Sequence, residues 1–521
     1  MTRRRLPGRD PKAVRLPVAG GAPRVQKPTS AVVVGGGIAG LAAAIGLAER
    51  GVRVHLVEPQ RELGGRARAW RVGDGDGTAA RTMSRGFHAF FRQYYNLRAL
   101  LSRAGTLDEL LVPIGDYPVL SSSGDRDSFA RIPRVPPYNF AAFVARSPTF
   151  RASDLARVEL DAALSLLDVD FPKTFEDYDG ISAAEFLDRL RFPKRARHLA
   201  LEVFARSFFA DPREFSAGEL IAMFHSYFLG SSEGLLFDVP RDDYDTTLWK
   251  PIRGVLERLG GTVRLGEVER VEQAGERWSV LLGDGAELST DAVVLAAGPE
   301  ATPRIVNQSP ELADRAWRSS MSQVRLAPEF AVWRLWTDRP VRDDRPAFLG
   351  TAGFGLLDNV SVLERFERGA SLWAAEHGGS VIELHAYALT QAEREAGALR
   401  SSLLRELVRV YPETADMRIL ADELLIERDC PLIGGERWAT RPGVATPHST
   451  IKIAGDWVRS NEPIALMERA ATTGWMAANQ LLETWGVAGH PLWSVPTRAR
   501  QAWPSVARRL LRSTRNRKLR S

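Results

Sequence analysis

Cysteine is nearly absent from this chain. The one thiol, Cys430, excludes an intramolecular disulfide and any metal site built from several cysteines. Histidine is sparse as well. The eight residues show no H-x-x-x-H or H-E-x-x-H spacing, which argues against metal catalysis. Acid is missing from the two ends. Residues 1–30 carry eight basic side chains and one acid, and residues 491–521 carry nine basic side chains and none. With +7 and +9 placed there, the formal net charge of +6 leaves the body at about −10. The basic balance therefore gives no reason to expect a nucleic-acid-binding body. No basic stretch is interleaved with aromatics as an RNA or DNA platform would be.

Long apolar runs are missing too. Before Thr29 every run is broken by Pro, Gly, Asp or Arg, so Arg3-Arg4-Arg5 lacks the apolar core of a signal peptide. Residues 1–29 read as a disordered basic arm. Ala31 to Ala48 is uncharged and long enough to span a bilayer, yet four glycines interrupt its middle. It reads instead as strand, turn and buried helix. The expectation is a cytoplasmic chain with no transmembrane helix and no signal peptide. Its 521 residues, 44% hydrophobic, exceed one ordinary domain, so two intertwined domains are expected.

Residues 31–58 alternate strand, Gly turn, helix and strand. Residues 84–230 look helical and aromatic-rich. Arg277 to Leu282 and Ala286 to Leu288 flank Gly283-Asp284-Gly285, a hairpin signal. Asp291 to Ala297 is a buried strand ending at Gly298-Pro299, Ile451 to Ala454 a short strand, and Pro463 to Glu483 a long helix. Strands of one nucleotide-binding sheet thus lie far apart, so a second domain must be inserted between them.

The motif Gly35-x-Gly37-x-x-Gly40, with Ile38 and Ala39 inside it, sits between the strand Ala31 to Val34 and a helix read from Leu41 to Arg50. The first glycine permits the tight turn, the second lets a pyrophosphate approach, and the third allows close helix packing. Glu58 ends the next strand, where an acid bonds a ribose 2′-hydroxyl and disfavours NADP. Gly64-Gly65-Arg66 follows, with backbone room and fixed donors for a phosphate or a flat ring. Late in the chain, Gly455-Asp456 can aim a carboxylate at a polyol, and the helix through Met467 can face a flavin edge.

These motifs together resemble the flavin amine oxidase and phytoene desaturase superfamily over most of residues 31–485. The resemblance implies an α/β fold: a discontinuous Rossmann-like FAD-binding domain of glutathione-reductase type with an inserted α+β substrate domain. The FAD-binding domain would comprise 30–96, 240–305 and 441–485, and the substrate domain 97–239 and 306–440. Gly35, Gly37, Ile38, Ala39, Gly40 and Glu58 would hold the ADP portion. Gly64, Gly65 and Arg66 would lie beside the pyrophosphate and flavin. Val268 would contact adenine through its backbone. Asp456 would bind the ribityl chain, with Gly298, Gly455 and Met467 completing the cofactor set.

The segment Arg85-Gly-Phe-His-Ala-Phe-Phe-Arg-Gln-Tyr-Tyr-Asn96 is similar to that of plant-type carotene desaturases, and most to the carotenoid φ-ring synthases. Phe237 to Asp245 and Met467 to Gly474 fit the same group. Read without the family, Phe87, Phe90, Phe91, Tyr94 and Tyr95 are either core or the wall of an apolar substrate tunnel. The resemblance implies a carotene substrate whose β-ionone ring is desaturated by FAD with a 1,2-methyl migration. His88 or His225 would be the base, each set against an ordinary core role. The alternatives are a linear-carotene desaturase, a carotene isomerase, or a non-catalytic escort protein of the same fold. No residue pattern identifies the electron acceptor. The end, 486–521, alternates Trp503, Val506, Leu510 and Leu511 with arginines. It is either an amphipathic membrane-surface anchor or a disordered basic tail.

Overall fold

The run Ser30–Val34 carries no charge and is buried throughout, as a strand covered on both faces must be. It is the middle of a five-stranded parallel sheet. The order is Thr262–Leu265, Arg53–Glu58, Ser30–Val34, Ala292–Leu295 and Ile451–Ile453. The computed structural model describes residues 9–73, 80–200, 209–312, 314–501 and 503–518. Helices Ile38–Glu49 and Leu466–Thr484 pack against each other beside the sheet. The expected hairpin is present, Arg277–Leu282 pairing with Glu287–Thr290, and Val268–Ala274 adds a third strand. The long helix begins at Leu466 rather than Pro463, because Ala465 is extended and Leu466 has a φ of +53°.

A second sheet has seven strands. It runs Ile419–Glu427, Glu329–Thr337, Val381–Leu389, Asn359–Val362, Phe348–Ala352, Val119–Ser121 and Arg126–Asp127. Val119–Ser121 joins strands from residues 329–427, pairing in parallel with Phe348–Ala352. The span 84–230 is therefore not purely helical. Leu111–Ile114 also pairs with Phe237–Pro240, which in turn takes Phe90–Phe91 on its other edge. Hydrophobic patterning identified the aromatics but not these short strands, whose partners lie more than a hundred residues away.

Both ends of the described chain depart from the expected disorder. Val14–Leu16 pairs antiparallel with Leu492–Ser494. Asp10 is 3% exposed and forms an ion pair with Arg500 at 2.9 Å. His490 bonds the Gly46 carbonyl at 2.8 Å, and Trp493 exchanges hydrogen bonds with the Asn96 side chain. Residues 487–501 are thus a strap across the body. The helix Trp503–Lys518 follows, with Ser505 and Arg508 bonded to Asp168 and Asp161 beside helix Leu160–Leu167. Charge counting along the chain reads these ends as solvated because their acidic partners are distant in sequence. Arg3-Arg4-Arg5 lies outside the described residues.

Burial favours a neutral Asp10, yet Arg500 and the Ser232 and Lys12 N–H groups hold its carboxyl down at about 2. A depressed carboxyl stabilises the fold above its unfolded value, and that stability is lost as pH falls towards 2. Asp10→Asn is expected to cost on the order of 2 kcal/mol at pH 7. Urea melts of both proteins at pH 7 and pH 3 check it: the gap narrows at pH 3, and an unchanged gap removes Asp10 as the clasp.

Candidate active site

The carboxyl ends of the parallel strands open into a cavity of about 610 Å³. Gly35, Gly37, Ile38, Ala39 and Glu58 line it from the first strand–helix turn and its neighbouring strand. Gly40 lies beneath, where a Cβ would stand 1.8 Å from the Gly35 carbonyl oxygen, so the helix can start this close only over a glycine. Glu58 is 7% exposed. Its carboxylate accepts the Gly36 N–H at 2.6 Å and the Gln60 N–H at 3.0 Å, which fixes it at the cavity edge. Burial pushes its carboxyl upward against those two bonds.

The second glycine loop is stitched to the first. Gly64 N–H donates to the Gly36 carbonyl at 2.8 Å, and the Trp249 indole donates to Ala67 at 2.6 Å. The loop thereby presents Gly64, Gly65 and Arg66 to the cavity. Arg66 pairs with Asp456 at 2.5 Å across 390 residues of sequence. Gly455, Asp456 and Met467 come from the loop after Ile451–Ile453 and the start of the helix Leu466–Thr484. Val268 and Gly298 complete the lining. Nothing lies within 4 Å of where a Gly298 Cβ would project, so this glycine leaves room for a ligand. Of the fourteen cofactor positions expected from sequence, all but Gly40 thus line one cavity.

The same cavity has an aromatic wall. Phe87, Phe91 and Tyr94 line it, with Tyr227 against Phe91 at a centroid distance of 4.6 Å and Phe348 against Phe87 at 4.5 Å. Phe90 and Tyr95 do not. Strand alternation turns Phe90 into the core at 0% exposure. Tyr95 opens a helix, and its hydroxyl meets the Asp10 N–H and Ser231. Glu468 ties this segment to the helix Leu466–Thr484 by accepting the N–H groups of Asn96 and Leu97 at 2.9 and 3.0 Å.

The two predicted histidines separate. His225 is 1% exposed, outside the cavity lining, and its Nε2 donates to the Pro496 carbonyl at 2.7 Å. It is a strut for the strap, because a carbonyl can only accept and so fixes the proton on Nε2. His88 does face the cavity. Its Nδ1 donates to the Gly86 carbonyl at 2.7 Å, which leaves Nε2 as the basic nitrogen. Burial pushes this imidazole down to about 4, so it is neutral near pH 7. Cys430 also lines the cavity, with burial raising its thiol to about 12.

Sequence reading missed a charged cluster in the wall. Arg334 donates to Glu383 through Nε at 3.0 Å, and Glu383 meets His385 Nε2 at 2.8 Å. His385 Nδ1 meets the Tyr387 hydroxyl at 2.5 Å. His385, Tyr387 and Asn359 line the cavity. The signal was available in Val381-Ile-Glu-Leu-His-Ala-Tyr-Ala-Leu389, where three polar residues recur at period two on one strand face.

The profile of the flavin containing amine oxidoreductases matches residues 38–482, so the chain belongs to that family of flavin-dependent oxidoreductases. Within it the chain groups with the carotenoid phi-ring synthases. It is 52% identical over 513 residues to the carotenoid phi-ring synthase of Streptomyces griseus, covering 96% of this chain and 97% of that one. A second such enzyme, from Chlorobaculum tepidum, is 26% identical and covers 91% and 92%. Among solved structures, putrescine oxidase bound to putrescine shares the fold with a TM-score of 0.66 at 17% identity, over 88% of this chain and 99% of that one. Cyclohexylamine oxidase from Brevibacterium oxydans does so with a TM-score of 0.62 at 15% identity, over 88% and 99%.

Gly298→Val tests the cofactor cradle. The side chain enters open space, so the variant is expected to melt within about 2 °C of wild type yet to lose at least ten-fold in bound flavin. Flavin absorbance per protein, read beside a melting curve, checks both. Undiminished flavin places the cofactor elsewhere.

Proposed function

We propose that the chain is an FAD-dependent enzyme that desaturates the β-ionone ring of a carotene with a 1,2-methyl migration, giving a φ-type aromatic ring. The observation that carries this reading is one cavity lined both by the two glycine loops and by the aromatic wall. The 52% likeness to a carotenoid phi-ring synthase over nearly the whole chain supports it. Plant phytoene desaturases are more distant, one from Solanum lycopersicum being 26% identical over 53% of this chain, which favours ring chemistry over a linear substrate.

FAD is the cofactor these residues fit. Glu58 stands where an adenosine ribose acid belongs, and Gly37 and Gly65 leave backbone open beside it. Asp456 and Arg66 offer a carboxylate and a guanidinium to the polyol and phosphate portions. Bound there, FAD supplies the two-electron acceptor for hydride leaving the ring.

The remaining steps fall to the protein. A first loss of hydride and proton makes the ring a diene; a second hydride loss leaves an allylic cation, a geminal methyl group moves to the neighbouring cationic carbon, and a second proton loss completes the arene. Electron-rich faces at Phe87, Phe91 and Phe348 tolerate that cation. His88, neutral and presenting Nε2, accepts a proton. No methyl donor is needed, because the methyl moves within the ring.

The substrate is lipid-soluble, and membrane docking suits it. Among the described residues no helix is long and apolar enough to cross a bilayer. The helix Trp503–Lys518 nonetheless exposes Trp503 and Val506, at 49% each, beside Arg509. We place a peripheral contact with anionic lipid there. A chain ending at Gln501 keeps the strap, and in flotation with anionic liposomes it is expected to lose most of the binding of the full chain. Equal flotation removes the contact.

Expression in a β-carotene-producing host tests the enzyme. The expected product retains every carbon and is four hydrogens lighter per reacted ring, with a label on one geminal methyl recovered on the adjacent ring carbon. Unchanged β-carotene with flavin bound would overturn the assignment.

A further inference from the structure

Making one ring aromatic releases two protons, while His88 provides a single imidazole with no carboxylate hydrogen-bonded to it among the described residues. We propose that Tyr387, His385 and Glu383 form a second proton acceptor, with Tyr387 as the group that meets the substrate. This rests on the ring-aromatising reading above. The three side chains come from alternate positions of the strand Val381–Leu389, so they share one face and run in line from the buried end to the cavity.

The hydrogen-bond directions are determined by the charges. Arg334, 2% exposed, holds Glu383 ionised through its Nε and Nη2 donors, and the carboxyl stays down at about 2 despite burial. A carboxylate can only accept, so the 2.8 Å contact makes His385 Nε2 the N–H. The Phe87 N–H also points at Nε2, but at 3.4 Å it is the weaker claim. His385 Nδ1 is then a lone pair, and the Tyr387 hydroxyl donates to it. The Asn359 amide donates to the Tyr387 oxygen at 3.0 Å, which holds the phenol in place.

Two backbone features shape this row. Between Ala386 and Leu389 the strand carries one residue more than its partner between Ala331 and Glu329, and Ala388 takes a φ of +54°. Such a bulge re-aims the side chains beside it, here Tyr387. Gly86, at φ +99°, packs so closely on His385 that a Cβ would stand 2.4 Å from its Cε1. That contact holds the imidazole from the side away from its own strand.

In the step, a ring C–H bond of the substrate cation breaks and its electron pair forms the ring double bond. The proton passes to the Tyr387 oxygen as the phenolic proton passes to His385 Nδ1. Tyr387 ends neutral, and the imidazolium is stabilised by Glu383. The proton returns to solvent by the same route when product leaves.

Tyr387→Phe removes the relay with the least disturbance, since the ring stays and only a partly buried hydroxyl is lost. With flavin-loaded enzyme and β-carotene in liposomes, kcat is expected to fall at least ten-fold, with KM and flavin content within about two-fold of wild type. His385→Gln is expected to lose a similar factor. The double variant is expected to lose no more than the worse single, because both act on one transfer. Wild-type turnover with an unimpaired Tyr387→Phe overturns the relay alone, as do single losses that multiply in the double variant or a loss confined to KM. A wild-type enzyme that leaves β-carotene untouched overturns the relay together with the reading it rests on.

Discussion

The ion pair between Arg66 and Asp456 joins the two ends of the chain at the cavity. It exists because parallel strands must have their carboxyl ends on one side, so loops far apart in sequence meet there. The stitch between Gly64 and Gly36 and the bond from Trp249 to Ala67 set the height of Arg66. Glu468 then hangs the aromatic segment at Asn96 from the same helix that carries Met467. The glycine loops, Asp456 and the aromatic wall are thus positioned together at the carboxyl ends of one sheet.

The glycine turn, Glu58, the second glycine loop and Asp456 were legible as cavity-lining positions because each sits at a strand end or turn whose geometry is local. A glycine needed for a close approach and an acid ending a strand have spacings that do not depend on the rest of the fold. The aromatic segment was half legible. Its density marked a wall, but which rings face the cavity depends on a two-residue strand whose partner is Phe237–Pro240. That is why Phe91 lines the cavity and Phe90 does not. His225 failed for the same kind of reason, its partner being a carbonyl 271 residues away.

The cluster around His385 was not read at all. Its members are ordinary strand residues until Arg334 ionises Glu383 and Gly86 packs on the imidazole. A buried charge of this kind is costly unless paired, and removing either partner typically costs about 3–5 kcal/mol. Such an arrangement is an expensive way to build a sheet, and its other end, His385 and Tyr387, stands in the cavity wall. The chain ends were misread in the opposite sense. Basic composition reads as solvated tail, whereas Asp10, Asp161, Asp168 and Asp170 hold Arg500, Arg508 and Arg498 to the body.

The central claim is that flavin and carotene ring meet in this one cavity. Anaerobic mixing of the purified flavoprotein with β-carotene in liposomes tests it most directly. The account predicts bleaching of the oxidised flavin absorbance in step with formation of ring-desaturated carotenoid, and no bleaching with lycopene, which has no ring to oxidise. A flavin that stays oxidised in the presence of β-carotene, or one reduced equally by lycopene, would contradict it.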